Sequence, residues 1–162
     1  MKKLLCISLL LLLLATLFLT PVSAAVDKNS DPYTSVEYYP DGSYGVTTLT
    51  ISESGNSNSA SLRAAVTSGT KNYTHYDSNN NALWKVTLTG YFSYTGTSAT
   101  CTSATPSYVV YDSAWRVTKA TASCSGNTAT GEFTAKKYVL GIPIQTVNKT
   151  LTITCSPTGV LS

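Results

Sequence analysis

Alternation dominates the chain after residue 70. In residues 83–94, Trp84, Val86, Leu88 and Phe92 fall on one phase and Lys85, Thr87 and Thr89 on the other. A period of two is the mark of a strand with one dry and one wet face. Residues 128–140 repeat it with Ala129, Phe133 and Ala135 inward. Residues 145–155 do so with Val147, Leu151 and Ile153 inward and Thr146, Thr150, Thr152 and Thr154 outward. Shorter strands are predicted at 71–76, 98–102, 108–111 and 115–124. Turn residues separate them: Thr95-Gly96-Thr97, Ser125-Gly126-Asn127 and Gly141-Ile142-Pro143. Gly90, inside the longest strand, predicts a bulge.

Upstream, Pro40-Asp41-Gly42-Ser43 is a turn with a mechanism, since Pro presets φ, Asp bonds nearby backbone and Gly accepts positive φ. With strand-like residues at 35–39 and 44–51 on either side, it predicts a β-hairpin. A Ser-, Asn- and Gly-rich stretch follows and reads as a linker; "ASLRAAV" within it is too short for a stable helix. The expected fold is all-β: an antiparallel immunoglobulin-like β-sandwich over residues 70–162, preceded by an N-terminal hairpin and linker over 25–69. Composition agrees, since Thr, Ser, Tyr and Val suit half-buried pleated surfaces.

The first residues change the setting. Lys2 and Lys3 precede an apolar run from Leu4 to Leu19, and Val22-Ser23-Ala24 forms a small-residue exit. That is a signal peptide over residues 1–24, with cleavage expected after Ala24, and it implies a secreted, extracellular protein with no membrane association after cleavage. Cys6 lies too far upstream of the cleavage site for lipidation. The full chain carries 11 basic and 8 acidic side chains; without Lys2 and Lys3 the net charge is about +1, and no basic stripe exists to meet nucleic-acid phosphates. Nucleic acid is therefore not an expected partner.

Three cysteines follow the leader: Cys101, Cys124 and Cys155. An odd number in an exported chain implies one bridge and one free thiol. Cys155 shares its phase with Leu151 and Ile153, and Cys101 with Ala99, whereas Cys124 sits beside a turn. The expected bridge is Cys101–Cys155, worth about 4 kcal/mol in the chain-entropy model, with Cys124 free. No C-x-x-C spacing supports a metal site, and no cofactor is expected.

"HYDSNNNALWKV", from His75 to Val86, holds the only histidine. Asp77, Asn79 and Asn81 match the first three ligand positions of an EF-hand loop, but Ala82 stands where glycine is required and Leu88 where the bidentate glutamate belongs. A catalytic His75 would need a positioned nucleophile or carboxylate, and no nucleophile motif accompanies it. The residues fit a hairpin turn, with His75 at a strand end and Trp84 as a core anchor.

The succession "YYPDGSY", "KNYTHYDSNNNALWKVTLTGYFSYTGTSATCTSA", "YDSAW", "SGNTATGEFTAKK" and "CSPTGVLS" resembles a group of small secreted proteins of Gram-positive, largely gut-associated bacteria that carry no assigned activity. The resemblance spans about residues 38–162. It implies export from a bacterium and a β-rich fold, and it brings no catalytic residues. In a bacterial protein the sequons at Asn72 and Asn148 are coincidences of a Thr-rich chain. The expected function is non-catalytic binding of a glycan or protein at a cell surface or in the environment. Tyr38 and Tyr39 are the candidate contact aromatics, because adjacent strand residues face opposite ways. The alternative is a small secreted effector or antimicrobial protein; a hydrolase using His75 is the third reading.

Overall fold

The computed structural model describes residues 33–52 and 64–162. The expected signal peptide, its cleavage site and most of the linker lie outside the described residues. Eight strands follow one another: β1 (Thr34–Tyr38), β2 (Tyr44–Ser52), β3 (Ala65–Tyr76), β4 (Ala82–Tyr94), β5 (Ala99–Val110), β6 (Trp115–Ser125), β7 (Thr128–Val139) and β8 (Ile142–Thr154). They form two antiparallel sheets, of five strands in the order β1-β2-β3-β4-β5 and of three in the order β6-β7-β8. Within the described residues each strand forms ladders only with its neighbours in sequence, so the connectivity is a meander.

The sheets face each other across a core of Tyr73, Trp84, Val86, Leu88 and Phe92 from one side and Ala129, Phe133, Ala135, Leu151 and Ile153 from the other. All but Tyr73 are positions the alternation marks as inward. At the centre β4 and β7 come very close. A Cβ built on Gly90 would lie 2.9 Å from the Phe92 ring and 3.0 Å from the Ala129 Cβ. Gly90 is therefore a close-approach residue, and the bulge expected there falls one step later, between Tyr91 and Phe92.

Three strands exceed their sequence signals by more than a residue. β8 begins at Ile142, so Ile142 and Pro143, expected in a turn with Gly141, belong to the strand and the turn is Leu140-Gly141. β3 begins at Ala65 and pairs with β2 from Tyr44↔Tyr76 to Ser52↔Ser68, so the N-terminal hairpin belongs to the large sheet. β5 is one strand where two short ones are expected. Pro106 interrupts the sequence signal but not the strand, because β5 is an edge strand with a ladder on one side only, to β4, where a proline is tolerated.

Among the described residues a disulfide joins Cys101 to Cys124, with Cα atoms 5.4 Å apart, and Cys155 is free and buried. This corrects the expected Cys101–Cys155 pairing. Phase along a strand shows which face a cysteine occupies, not which strand lies opposite. The meander sets β5 at the edge of one sheet next to β6 at the edge of the other, while β8 lies beyond β7. Cys124 stands opposite Ala129, and Ala129 opposite Ile153, so Cys124 also falls on the inward row. Burial raises the Cys155 thiol pKa and holds it as the unreactive thiol.

Candidate functional site

The turns β1–β2, β3–β4 and β7–β8 and the β5–β6 connection gather at one end of the two sheets. Residues 77–81 form the β3–β4 turn. Asp77 Oδ1 accepts from the backbone N–H of Asn79 at 2.9 Å and of Asn81 at 2.8 Å, Oδ2 accepts from Asn81 Nδ2 at 3.0 Å, and Asn80 has φ +66°. The carboxylate that would open a calcium loop is thus committed to the turn itself. These bonds hold its pKa below the usual aspartate value. The Asp41 carboxylate is engaged likewise, by the Ser43 hydroxyl at 2.6 Å, the Ser43 N–H at 3.0 Å and Gln145 Nε2 at 3.0 Å.

Tyr38 and Tyr39 diverge as strand geometry requires. Tyr38 lies on the outer face, 81% exposed, opposite Tyr44, which is opposite Tyr76. Tyr44 and Tyr76 stack at 5.0 Å between ring centroids with 10° between planes, and Tyr38 leans on Tyr44 at 6.0 Å. The tyrosines make a row across three strands. Next along the same face come Val36, Val46, Thr74 and Lys85, then Thr34, Thr48, Asn72, Thr87 and Ser107.

Tyr39 takes an interior role instead. Its hydroxyl donates to Glu37 Oε1 at 2.8 Å and stands 2.9 Å from the Tyr73 hydroxyl, which is 3.0 Å from His75 Nδ1. Lys149, reaching from β8, donates to Glu37 Oε1 at 2.6 Å and lies 4.5 Å above the Tyr73 ring centroid. Tyr73 can cross β2 because Gly45 has no side chain: a Cβ there would sit 2.3 Å from the Tyr73 ring. Partial burial pushes the Glu37 pKa up, but the bonds from Lys149 and Tyr39 outweigh it and hold the carboxyl below its ordinary value. Burial raises both tyrosine pKa values, so the phenols stay protonated.

His75 ends this chain at 0% exposure. Its ring stacks on Trp84 at 5.1 Å and meets Tyr39 and Trp115 edge-on at 5.2 and 5.5 Å. Burial drives its pKa down, against the pull of the Asp41 and Glu37 charges, and the imidazole is neutral. A cavity of about 250 Å³ opens beside it, with walls from His75, Trp115, Ser43, Leu83, Lys137 and Gln145 and from the two turn aspartates. Sequence reasoning places His75 and Trp84 correctly but misses Tyr73, Glu37 and Lys149; the only trace of their meeting is the alternation Tyr73, His75 on one inward face.

A third feature is the tip of the β7–β8 hairpin. Leu140 is 97% exposed, and Val139, Ile142 and Ile144 are exposed around it. A comparison with protein-family models, curated proteins and solved structures returns no match. The class these features define is an all-β protein of two facing antiparallel sheets, with a tyrosine row, a histidine cavity and an apolar hairpin tip at one end.

Proposed function

We propose that this is an exported, non-catalytic binding protein of immunoglobulin-like sandwich architecture, in its layering rather than its connectivity, whose ligand is a glycan held on the outer sheet face. One observation carries the reading: the Tyr38–Tyr44–Tyr76 row, open at Tyr38, followed on the same face by Val36, Val46, Thr74 and Lys85 and then by a polar row of Thr34, Thr48, Asn72, Thr87 and Ser107. Aromatic rings offer flat apolar surface to sugar C–H groups, and neighbouring hydroxyls and amides take the sugar hydroxyls. A non-catalytic role is supported by the engagement of both cavity carboxylates in turn hydrogen bonds and by the full burial of His75. The test is a glycan array with pull-downs from mucus and bacterial cell wall. Tyr38→Ala is expected to weaken binding about tenfold, or ~1.4 kcal/mol, with unchanged thermal stability. Blank arrays and pull-downs from the unaltered protein would sink the reading.

The second reading, an effector acting on neighbouring cells, is favoured by the hairpin tip, because contiguous exposed aliphatics mark contact surfaces. It predicts growth inhibition of co-cultured bacteria that Leu140→Asp abolishes. Full inhibition by that variant, or none by the parent, removes it.

A further inference from the structure

The β7–β8 hairpin runs on past the connections that meet it. Tyr138 N–H donates to Ala114 O at 2.7 Å, Gln145 Nε2 donates to Asp41 Oδ2 at 3.0 Å, and Lys137 shares a cavity wall with Asp77. Beyond that level come Val139-Leu140-Gly141-Ile142-Pro143-Ile144, each exposed and none polar. At ~3.3 Å per residue, the run from Lys137 to Leu140 extends about 10 Å.

A hairpin that docks one face on a partner keeps alternate side chains polar for the side left in water. Residues 139–144 do not alternate, since both phases are apolar. A tip that is apolar all round is favoured where its surroundings are apolar all round, as at the acyl boundary of a bilayer. Leu140 is the extreme case. It holds left-handed backbone, φ +51°, at a position that favours asparagine, and its side chain is 97% exposed. In water that residue costs stability and makes no contact in return.

The base of the hairpin carries complementary charge. Arg116 stands opposite Lys136 and Trp115 opposite Lys137, in the last β6–β7 pairs before the tip. Among the described residues, Lys136, Lys137 and Arg116 have no ion-pair partner; the pairs there are Lys119–Glu132 and Lys149–Glu37. Arg116 lies 4.8 Å from the centroid of the Tyr138 ring. The acids at this end, Asp41, Asp77 and Asp112, each accept hydrogen bonds within their own turns. Tyr138 at the base and exposed Tyr111 on the β5–β6 connection supply amphipathic rings of the kind that settle at headgroup level. Pro143 brings no N–H to desolvate.

We propose that residues 139–144 are a membrane-inserting tip: the hairpin enters the headgroup–acyl boundary of an anionic phospholipid bilayer, with Lys136, Lys137 and Arg116 on the lipid phosphates. Its reach matches the depth of interfacial segments, about 5–10 Å. The exported protein thus has a lipid partner, where the sequence alone implies no membrane association. The proposal rests on the contact surface of the effector reading and names its partner, without requiring toxicity.

Vesicle co-sedimentation of the exported protein after leader removal tests it. Binding is expected to phosphatidylcholine vesicles that contain phosphatidylglycerol, and about tenfold weaker binding to phosphatidylcholine alone. Leu140→Asn suits the turn and is expected to keep the fold, read by its denaturant midpoint, while weakening vesicle binding about tenfold. Lys136→Gln/Lys137→Gln is expected to reduce the preference for phosphatidylglycerol, and Tyr38→Ala to change nothing. No binding of the unaltered protein to either vesicle overturns the proposal, and so does full binding by Leu140→Asn. Capture of a cell-surface protein that Leu140→Asn abolishes, with vesicles left unbound, overturns it in favour of a protein contact. Growth inhibition without vesicle binding removes this inference alone; vesicle binding without growth inhibition upholds it and removes only the effector reading.

Discussion

At the residue scale, two side chains sit where their chemistry is expensive. His75 is held neutral inside an aromatic cage, so its protonation is coupled to folding. The unfolded chain takes up the proton near pH 6.5, the folded protein only at lower pH. In that window the unfolded state binds more protons, so stability falls as pH drops below about 6.5 and levels once the folded imidazole also charges. Glu37 adds a second loss of the same sign further down, since its folded pKa lies below 4.5. Urea unfolding midpoints across this range should show the first decline; a profile flat from neutral to mildly acidic pH would contradict the buried neutral histidine. Leu140 is the other costly residue. It has φ +51°, followed by Gly141 at φ +81°, in a two-residue hairpin turn that favours Asn-Gly. A leucine in left-handed backbone costs about 1–2 kcal/mol, and this one buries nothing in return. Leu140→Asn is therefore expected to stabilise the protein by ~1 kcal/mol, read as a higher denaturant midpoint. An unchanged or lower midpoint would mean that the turn is less demanding than its dihedrals indicate.

At the scale of elements, each strand's inward face follows from alternation, yet what the strands build together depends on contacts between them. Tyr73 and His75 share the phase that a strand puts on one face, though not which face, and Tyr39 is legible as the opposite of Tyr38. Nothing in the spacing of Glu37, Tyr73 and Lys149 shows that they converge, because they come from β1, β3 and β8, and proximity across strands is set by register and sheet packing. Gly45 carries the clearest consequence. It stands opposite His75 in the β2–β3 register, and the Tyr73 ring occupies the space of its missing side chain. Gly45→Ala should drive that ring away, break the Tyr39–Tyr73–His75 chain and cost about 1–3 kcal/mol, the usual range for overpacking. Calorimetry checks the loss, and the His75 NMR signals check the break. Retention of both stability and tautomer would show that Tyr73 moves aside without consequence.

For the molecule as a whole, the decisive link is between the sheets at the β5–β6 edge. There the strands lie side by side without a hydrogen-bonded ladder, and Cys101–Cys124 fastens them, with the Cys101 N–H donating to Gly126 O at 2.8 Å. Closing a loop of 23 residues is worth roughly 3 kcal/mol in the chain-entropy model. Cys101→Ala/Cys124→Ala is expected to lower stability by about that amount, whereas Cys155→Ala loses only the packing of a small buried side chain. Peptide mapping without reduction should recover the 101–124 crosslink; a crosslink to Cys155 would overturn this edge-to-edge arrangement. The amino-acid sequence by itself determined the two-faced strands, most of the turns that separate them and the inward set from Trp84 to Ile153, because alternation, turn chemistry and β-branched side chains act over a few neighbouring residues. Only the tertiary structure decided which cysteines meet, that Pro106 is harmless at an edge, that Gly90 is a contact rather than a bulge, and that a carboxylate, two phenols and an imidazole line up. Those outcomes depend on which strand lies beside or above which, a relation between residues far apart in sequence that local patterns do not encode.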